Sequence, residues 1–305
     1  MLIDRRKGWG LAALGMLLVS TDSYFVRLSE LNGWNVTFLV ACLSLPVQLI
    51  AQRVIEGGKP LAAFRQHRRG LLIVGTLSAI SQVSFISAVT KTSVSNVVVI
   101  VAAAPVIAAV VGRIMLGERT SRQVWVAILI TIAGVLIVVS GSVGESNLTG
   151  DFFALIAIVC FSINMNVWRR YSDMSRFVGL ALAAMIAIVI TVWFIDNPFG
   201  HDSRAYFSVA CMGLLFNPMG RIAHTSAPRF APAAEIALFM PVETLAATAW
   251  AWIAFNEKPV TATFIGGGIV IFGMMVGTLG RASAPSDPGR ETVSHDEVTL
   301  GTGPA

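Results

Sequence analysis

Charge is what this sequence has least of. Only 13 % of its residues are Asp, Glu, Lys or Arg, and mean hydropathy is +0.74, whereas a soluble domain carries roughly 25 % charged residues. That balance excludes an ordinary soluble fold and makes the chain an integral membrane protein. Cysteine is nearly as scarce. Cys42, Cys160 and Cys211 stand singly inside apolar runs, which excludes a disulfide framework or a CxxC metal site and leaves them as small buried hydrophobes. The four histidines (His67, His201, His224 and His295) are scattered, and HExxH, HxxxD and clustered carboxylates are all missing. A membrane enzyme therefore has no motif to rest on, and neither a cofactor nor a metal is expected. A Walker sequence is missing too, so nothing points to an ATP-driven motor. The net charge of +5 would suggest nucleic acid in a soluble chain. Here the basic residues fall in loops, where they report topology instead.

What is present is a series of apolar runs. Ten segments approach the ~20 residues needed to cross the hydrocarbon core: Gly8–Val26, Trp34–Val54, Gly70–Val89, Ser93–Leu116, Val124–Ser140, Gly150–Trp168, Phe177–Ile195, Ala205–Ala223, Ala233–Phe255 and Thr261–Leu279. The first follows Arg5, Arg6 and Lys7 as in a secretory signal, but it runs on through TDSYFV without a small-residue cleavage site, so a retained helix is expected. Placing the N-terminus in the cytoplasm puts eighteen of the twenty-two Lys and Arg on that side, leaving Arg27, Lys91, Arg204 and Lys258 outside. The positive-inside rule then sets both termini in the cytoplasm and the protein in the inner (plasma) membrane. Residues 281–305, rich in Pro, Ser, Gly and acids, read as a disordered tail.

The chain also repeats. A shift of 139 residues lays Leu116-Gly-Glu-Arg119 on Phe255-Asn-Glu-Lys258 and Gly134 on Gly273; a shift of 142 lays Gly8 on Gly150, Ser20 on Ser162, Asp22 on Asn164 and Arg27 on Arg169. Two repeats of five helices follow, 1–143 and 144–280. Because five is odd, the second is inverted relative to the first, an arrangement that marks secondary transporters with a site between the halves.

The residues of this repeat, Pro105, Gly117-Glu118-Arg119 and Ala133-Gly134-Val135, then Glu243-Thr244, Trp250-Ala-Trp252, Asn256-Glu257-Lys258 and Gly266-Gly267-Gly268, resemble the EamA repeat of the drug/metabolite transporter (DMT) superfamily. The resemblance covers residues 8 to 280. It implies ten helices in a basket around a central cavity, with helices five and ten packed outside, and export of small metabolites or drugs. Asn256 stands where the pattern has Gly, and Thr244 where it commonly has Pro.

Glu243 is the leading candidate for chemistry. A carboxylate at the centre of a membrane helix costs about 2.5–3.5 kcal/mol on insertion scales, so it marks a water-filled interior by default. It suits proton exchange or pairing with a cationic substrate group; the alternative is a Glu that joins helices. Glu235 lies nearer the start of the same segment. Asp22 sits in the polar run Ser20-Thr-Asp-Ser-Tyr24, and its repeat mate is Ser162-Ile-Asn-Met-Asn166, which contributes Asn164 and Asn166. Both runs read as cavity lining, against interhelical hydrogen bonding worth about 0.6 kcal/mol on average. Tyr24 and Trp168 are placed to stack on an aromatic or cationic substrate, while Trp34, Trp125, Trp193, Trp250 and Trp252 read as interfacial anchors. Gln82 and Asn96 are further cavity candidates. Pro46, Pro105, Pro218 and Pro241 fall inside predicted helices as kinks or hinges, with Asn217 beside one of them. Arg221 is expected to snorkel to the interface and His224 to be solvated. Gly273 and Gly277 read as a close helix contact.

The expectation is an all-α integral membrane protein of ten helices, and a secondary-active exporter of small metabolites such as amino acids or amines. Alternating access is the expected mechanism, with H+ as one coupling option. The alternatives are a membrane-embedded enzyme, a channel, or a non-catalytic subunit. Expected partners are a small-molecule substrate and the lipid bilayer, with no nucleic acid, for a monomer or homodimer.

Overall fold

The computed structural model describes residues 4–140, 147–197, 200–256 and 258–279. The tail expected from 281, the repeat boundary at 143–144 and Glu257 lie outside them. The described residues form helices α1 (Arg5–Ser29), α2 (Gly33–Ile55), α3 (Pro60–Gln66), α4 (Arg68–Lys91), α5 (Val94–Val101), α6 (Ala104–Leu116), α7 (Arg122–Val139), α8 (Leu148–Arg170), α9 (Arg176–Thr191), α10 (Ser203–Cys211), α11 (Asn217–Ser226), α12 (Ala233–Ala237), α13 (Met240–Phe255) and α14 (Thr261–Leu279). Helix starts follow local chemistry. The side chains of Asp4, Asn32, Ser121 and Ser175 each accept a hydrogen bond from the backbone N–H three residues on, satisfying a donor that the first turn leaves free.

Among the described residues, eight helical stretches are long and apolar enough to cross a membrane, counting α5–α6 and α12–α13 as one stretch each. The predicted seventh and eighth crossings depart from this. The seventh, α9, is apolar but ends at Thr191 after 16 residues. The eighth is a composite, in which α10 widens into a π-helical segment over Met212–Phe216 before α11 begins. Pro218 lacks the N–H that would bond back one turn, and the wide turn ahead of it absorbs the gap. Gly213 sits in that turn because a Cβ there would lie 2.8 Å from the Cβ of Leu43 on α2.

Pro105 and Pro241 do not kink continuous helices. Each stands at the second position of a new helical half, after a break at Ala102–Ala103 or Leu238–Phe239. A missing N–H is harmless there, since the first turn has no partner to give it. The breaks correct the predicted register, because Pro105 matches Pro241 by its place in the fold, an offset of 136 and not 139. The 139 offset returns at the helix ends, because α13 is 16 residues long where α6 is 13. Both halves close on a left-handed residue, Gly117 at φ 66° and Asn256 at φ 56°. Asn tolerates that conformation better than other side chains, so Asn256 does the work of the Gly it replaces. Of the four prolines, Pro46 alone lies well inside a continuous helix.

Close contacts hold the bundle together. Gly134 of α7 and Gly266 of α14 meet backbone to backbone, and a Cβ on either would sit within 3 Å of the other's carbonyl oxygen. Gly273 meets Thr131, and Gly277 meets Ala127 and Leu238, as the small-residue spacing predicted. On the opposite flank α1 crosses α11 just as tightly, since a Cβ at Gly15 would be 2.7 Å from the backbone nitrogen of His224 and 2.9 Å from the carbonyl oxygen of Gly220.

A cleft between helices and a buried charge cluster

Two helices run side by side from one end of the molecule to the other. The start of α1 touches the short helix α12, where the Nε1 of Trp9 donates to Glu235 Oε2 at 3.1 Å and Arg5 pairs with Oε1 at 3.3 Å. The far end of α1 meets the far end of α13, where the Tyr24 and Phe255 rings lie 5.7 Å apart and Arg27 sits over the same Phe255 ring at 5.7 Å. Between these points Trp250 Nε1 donates to Ser20 Oγ at 3.1 Å. Trp250 is thus a strut between helices and not the interfacial anchor expected of it.

At the Tyr24 end a cleft of about 540 Å³ opens. Ser23, Tyr24 and Arg27 line it from α1, Thr244, Ala247, Thr248, Ala251 and Phe255 from α13, and Val98, Val138 and Lys258 from around its rim. Asp22 and Glu243 each lie one residue deeper than the first lining position on their own helix. Asp22 Oδ2 accepts a hydrogen bond from Asn217 Nδ2 at 2.8 Å, while its Oδ1 is buried without a partner. Arg221, one turn on from Asn217 along α11, stands within electrostatic range of both Asp22 and Glu243. The structure therefore gathers Asp22, Asn217, Arg221 and Glu243 from α1, α11 and α13 into one cluster. Arg221 is the member that sequence reasoning missed, because a basic residue near the end of an apolar run reads as a topology signal. His224 is likewise buried and not solvated, at 4 % exposure, with its ring stacked on Phe161 at 5.6 Å.

Other predicted site residues lie elsewhere. Trp168 is fully buried in the core, with the Arg176 guanidinium 5.2 Å over its ring and Gly179 leaving room beneath it, so it is not available to stack on a substrate. Asn166 donates to the carbonyls of Ala108 and Ser162 at 3.1 and 2.9 Å, tying α8 to α6. Asn164 donates to Ser78 Oγ at 2.7 Å, tying α8 to α4. Asn96 reaches Thr92 Oγ1 at 3.4 Å, and that hydroxyl also bonds Asp151 at 2.9 Å. Gln82 is half-buried on α4 and does not line the cleft. Glu235, 1 % exposed, is held at the opposite end of the molecule from the cleft.

That opposite end is sealed by more than Glu235. Arg169 donates to Glu118 at 2.8 Å and to the carbonyl of Pro228 at 2.9 Å, and Arg170 donates to the carbonyl of Met115 at 3.0 Å. Only about 20 Å³ of space remains there, between Gly112, Glu118, Asn166, Pro232 and Glu235.

The described residues thus form an apolar helical bundle with an open cleft, an opposite end closed by hydrogen bonds, and charged groups between them. Residues 6–140 match the model of the EamA-like transporter family. The first half of the chain, residues 6–140, is thus similar to an EamA-like transporter unit, and the Gly117–Arg119 turn and Gly134 fall within it. With eight apolar helical stretches among the described residues, the chain is a multi-pass membrane protein. A solved structure titled only "Crystal structure of protein" is similar over 89 % of this chain and 96 % of its own, with a TM-score of 0.76 and 15 % sequence identity. That likeness speaks for the fold, and it extends past the matched EamA segment into the second half of the chain. None of the curated proteins searched matches.

Proposed function

We propose that this EamA-type protein is a secondary-active exporter of small metabolites, working by alternating access across ten crossings arranged as two inverted halves. The observation that carries the reading is the asymmetry of the two ends: a cleft of about 540 Å³ at one, hydrogen-bonded closure at the other, and Asp22 and Glu243 just below the cleft. A carrier caught with one gate open has this form. The breaks before Pro105 and Pro241 support the inverted reading, since the two broken helices run in opposite directions, α5–α6 towards the sealed end and α12–α13 away from it. With the basic residues counted as above, the sealed end faces the cytoplasm and the cleft opens outside.

Glu243 is the proposed coupling residue. It lies within electrostatic range of Asp22 and Arg221, and exchange of a proton at one of the two carboxylates would link the H+ gradient to substrate movement. Purified protein in proteoliposomes tests both points. Saturable counterflow of a radiolabelled metabolite, driven by an imposed pH gradient and lost in Glu243→Gln with the protein still folded, is the expected result. Non-saturating flux would make the protein a pore, and an unchanged pH response in Glu243→Gln would remove the coupling role.

A further inference from the structure

Arg176 opens α9 at the sealed end and is buried at 2 % exposure. Its Nη1 donates to the carbonyls of Ser172 and Met174, each at 2.6 Å. Its Nε and Nη2 are buried and have no hydrogen-bond partner among the described residues. These two nitrogens share one edge of the guanidinium, the edge that grips two oxygens of a carboxylate or phosphate in parallel bonds. Trp168 closes one face of the group, with its ring 5.2 Å away, so the vacant edge is reached in the guanidinium plane. Arg229 comes to the same place from another element: its Nη2 donates to the Met174 carbonyl at 3.4 Å. Two guanidiniums on one carbonyl repel each other. The acids within electrostatic range, Glu56 and Asp173, are exposed and form an ion pair with neither among the described residues. Charged donors withdrawn from water without acceptors are costly, and an oxyanion between the two guanidiniums supplies those acceptors.

The surroundings suit an amphiphile. The short helix α3 touches α9, and its Ala63 and Phe64 pack on the cluster that includes Met174 and Val178, yet α3 buries none of its own residues. A segment held so lightly can lift away at little cost. Beside it Val54, Ile55 and Leu61 are exposed apolar side chains, and Lys59 and Arg65 are exposed cations. A headgroup at the guanidiniums with acyl chains along that apolar edge matches both features, and basic pockets between membrane helices hold anionic headgroups in this way. We propose that Arg176 and Arg229 form a phosphate-binding site at the sealed end, and that its ligand is the phosphate of an anionic phospholipid headgroup. The site is separate from the cleft and independent of any transport step.

The test uses the purified full chain in a neutral detergent, with dihexanoyl phosphatidylglycerol, dihexanoyl phosphatidylcholine and inorganic phosphate as probes at constant ionic strength. Binding is read as thermal stabilisation across a titration and as lipid retained in native mass spectra. Wild type is expected to bind phosphatidylglycerol about tenfold tighter than phosphatidylcholine, whose choline cation would face Arg229; that is the scale of hydrogen bonds to charged groups. Arg229→Gln, at an exposed position, is expected to abolish that preference, and Arg113→Gln, at an exposed cation of α6 at the same end, is expected to keep it. Arg176→Lys keeps the charge and loses the fork, so it is expected to weaken phosphatidylglycerol several-fold. Stabilisation by inorganic phosphate equal to that by phosphatidylglycerol would keep the site and make a free anion its ligand. Equal binding of the two lipids with no effect of inorganic phosphate would overturn the site; that result is expected if Gln52 Oε1, buried and unpartnered on α2, fills the fork instead. Equal losses in Arg113→Gln and Arg229→Gln would reduce it to general surface charge and overturn it as well. An unchanged affinity in Arg176→Lys would take the buried fork out of the site. Wild type and Arg229→Gln carry the deciding outcomes, so a poorly folding Arg176→Lys leaves the question decidable.

Discussion

The two ends of the bundle use different chemistry. At the Arg5 end, polar groups are committed to directional bonds: Glu235 lies between Arg5 and Trp9, and Arg169 between Glu118 and the Pro228 carbonyl. At the Tyr24 end, Tyr24 packs on Phe25 and Phe255, and Arg27 sits over the Phe255 ring, beside an open cleft. Charge-assisted hydrogen bonds weaken steeply with misalignment, so the sealed end is made or broken as a unit. Ring contacts are less directional than these bonds.

Substitutions at five positions break or sharpen this contrast. The largest effect is expected where the ends are joined, at the α1–α11 crossing. Gly15→Leu would drive a side chain into the His224 backbone, and even Gly15→Ala is an overpacking change of about 1–3 kcal/mol. A clear fall in Tm for Ala and loss of monodisperse protein for Leu are expected in detergent; wild-type Tm in Gly15→Leu would mean that the helices do not touch there. Next is Glu235→Ala at the sealed end. Breaking a buried pair costs about 3–5 kcal/mol in general, and the exposure of Arg5, 32 % of its side chain, reduces that here. A cysteine at Ala109, in a background lacking Cys42, Cys160 and Cys211, should then react about tenfold faster with an impermeant maleimide applied from the Arg5 side. Unchanged labelling would show that Glu235 does not hold the seal.

Arg169→Gln removes one charged link from the same end, and Arg169 keeps 13 % exposure beside Glu118 at 29 %. The same labelling should rise by a smaller factor, and a larger rise than with Glu235→Ala would reverse the order of the two locks. At the open end Tyr24→Ala removes aromatic contacts worth about 0.5–1.5 kcal/mol. The expected outcome is a KM shift of several-fold in proteoliposomes with no change in the Ala109 cysteine labelling, whereas increased labelling would couple the ends more tightly than argued. The smallest change is expected at the close of α13. Asn256→Ala places an ordinary side chain in a left-handed conformation at about 1–2 kcal/mol, so Tm should fall slightly, while Asn256→Gly should leave it unchanged or higher. Equal Tm for both would refute the conformational explanation of Asn256.

How far the cluster was legible in sequence depended on contrast with the surroundings. Glu243 and Asp22 stood out because a carboxylate in an apolar run is expensive and therefore visible. Arg221 did not, because the same charge near the end of a run also signals topology, and only the crossing of α11 over α1 turns it towards the acids. Glu235 shows the reverse error: it looked like a second site acid, but the entry of α1 at Trp9 claims it. Asn164 and Asn166 could not be sorted from sequence, since an amide in a membrane helix serves a cavity and a neighbouring carbonyl equally well. Trp168 lay near a helix end like an interfacial aromatic, and the chain's return through Arg176 and Gly179 buried it.

By composition and spacing alone, the sequence determined that this chain lives in a membrane, where its apolar runs lie, and that Pro105 and Pro241 fall inside two of those runs. Those properties are local, set by hydration, capping and backbone geometry within a few residues. Only the tertiary structure decided that Pro105 and Pro241 open new half-helices, that one end is locked and the other open, and that Arg221 joins Asp22 and Glu243 below the cleft. Each of these depends on which helices touch, and with lipid as apolar as the helix faces themselves, hydrophobic patterning does not choose partners. Close glycine contacts and a few long-range hydrogen bonds make that choice.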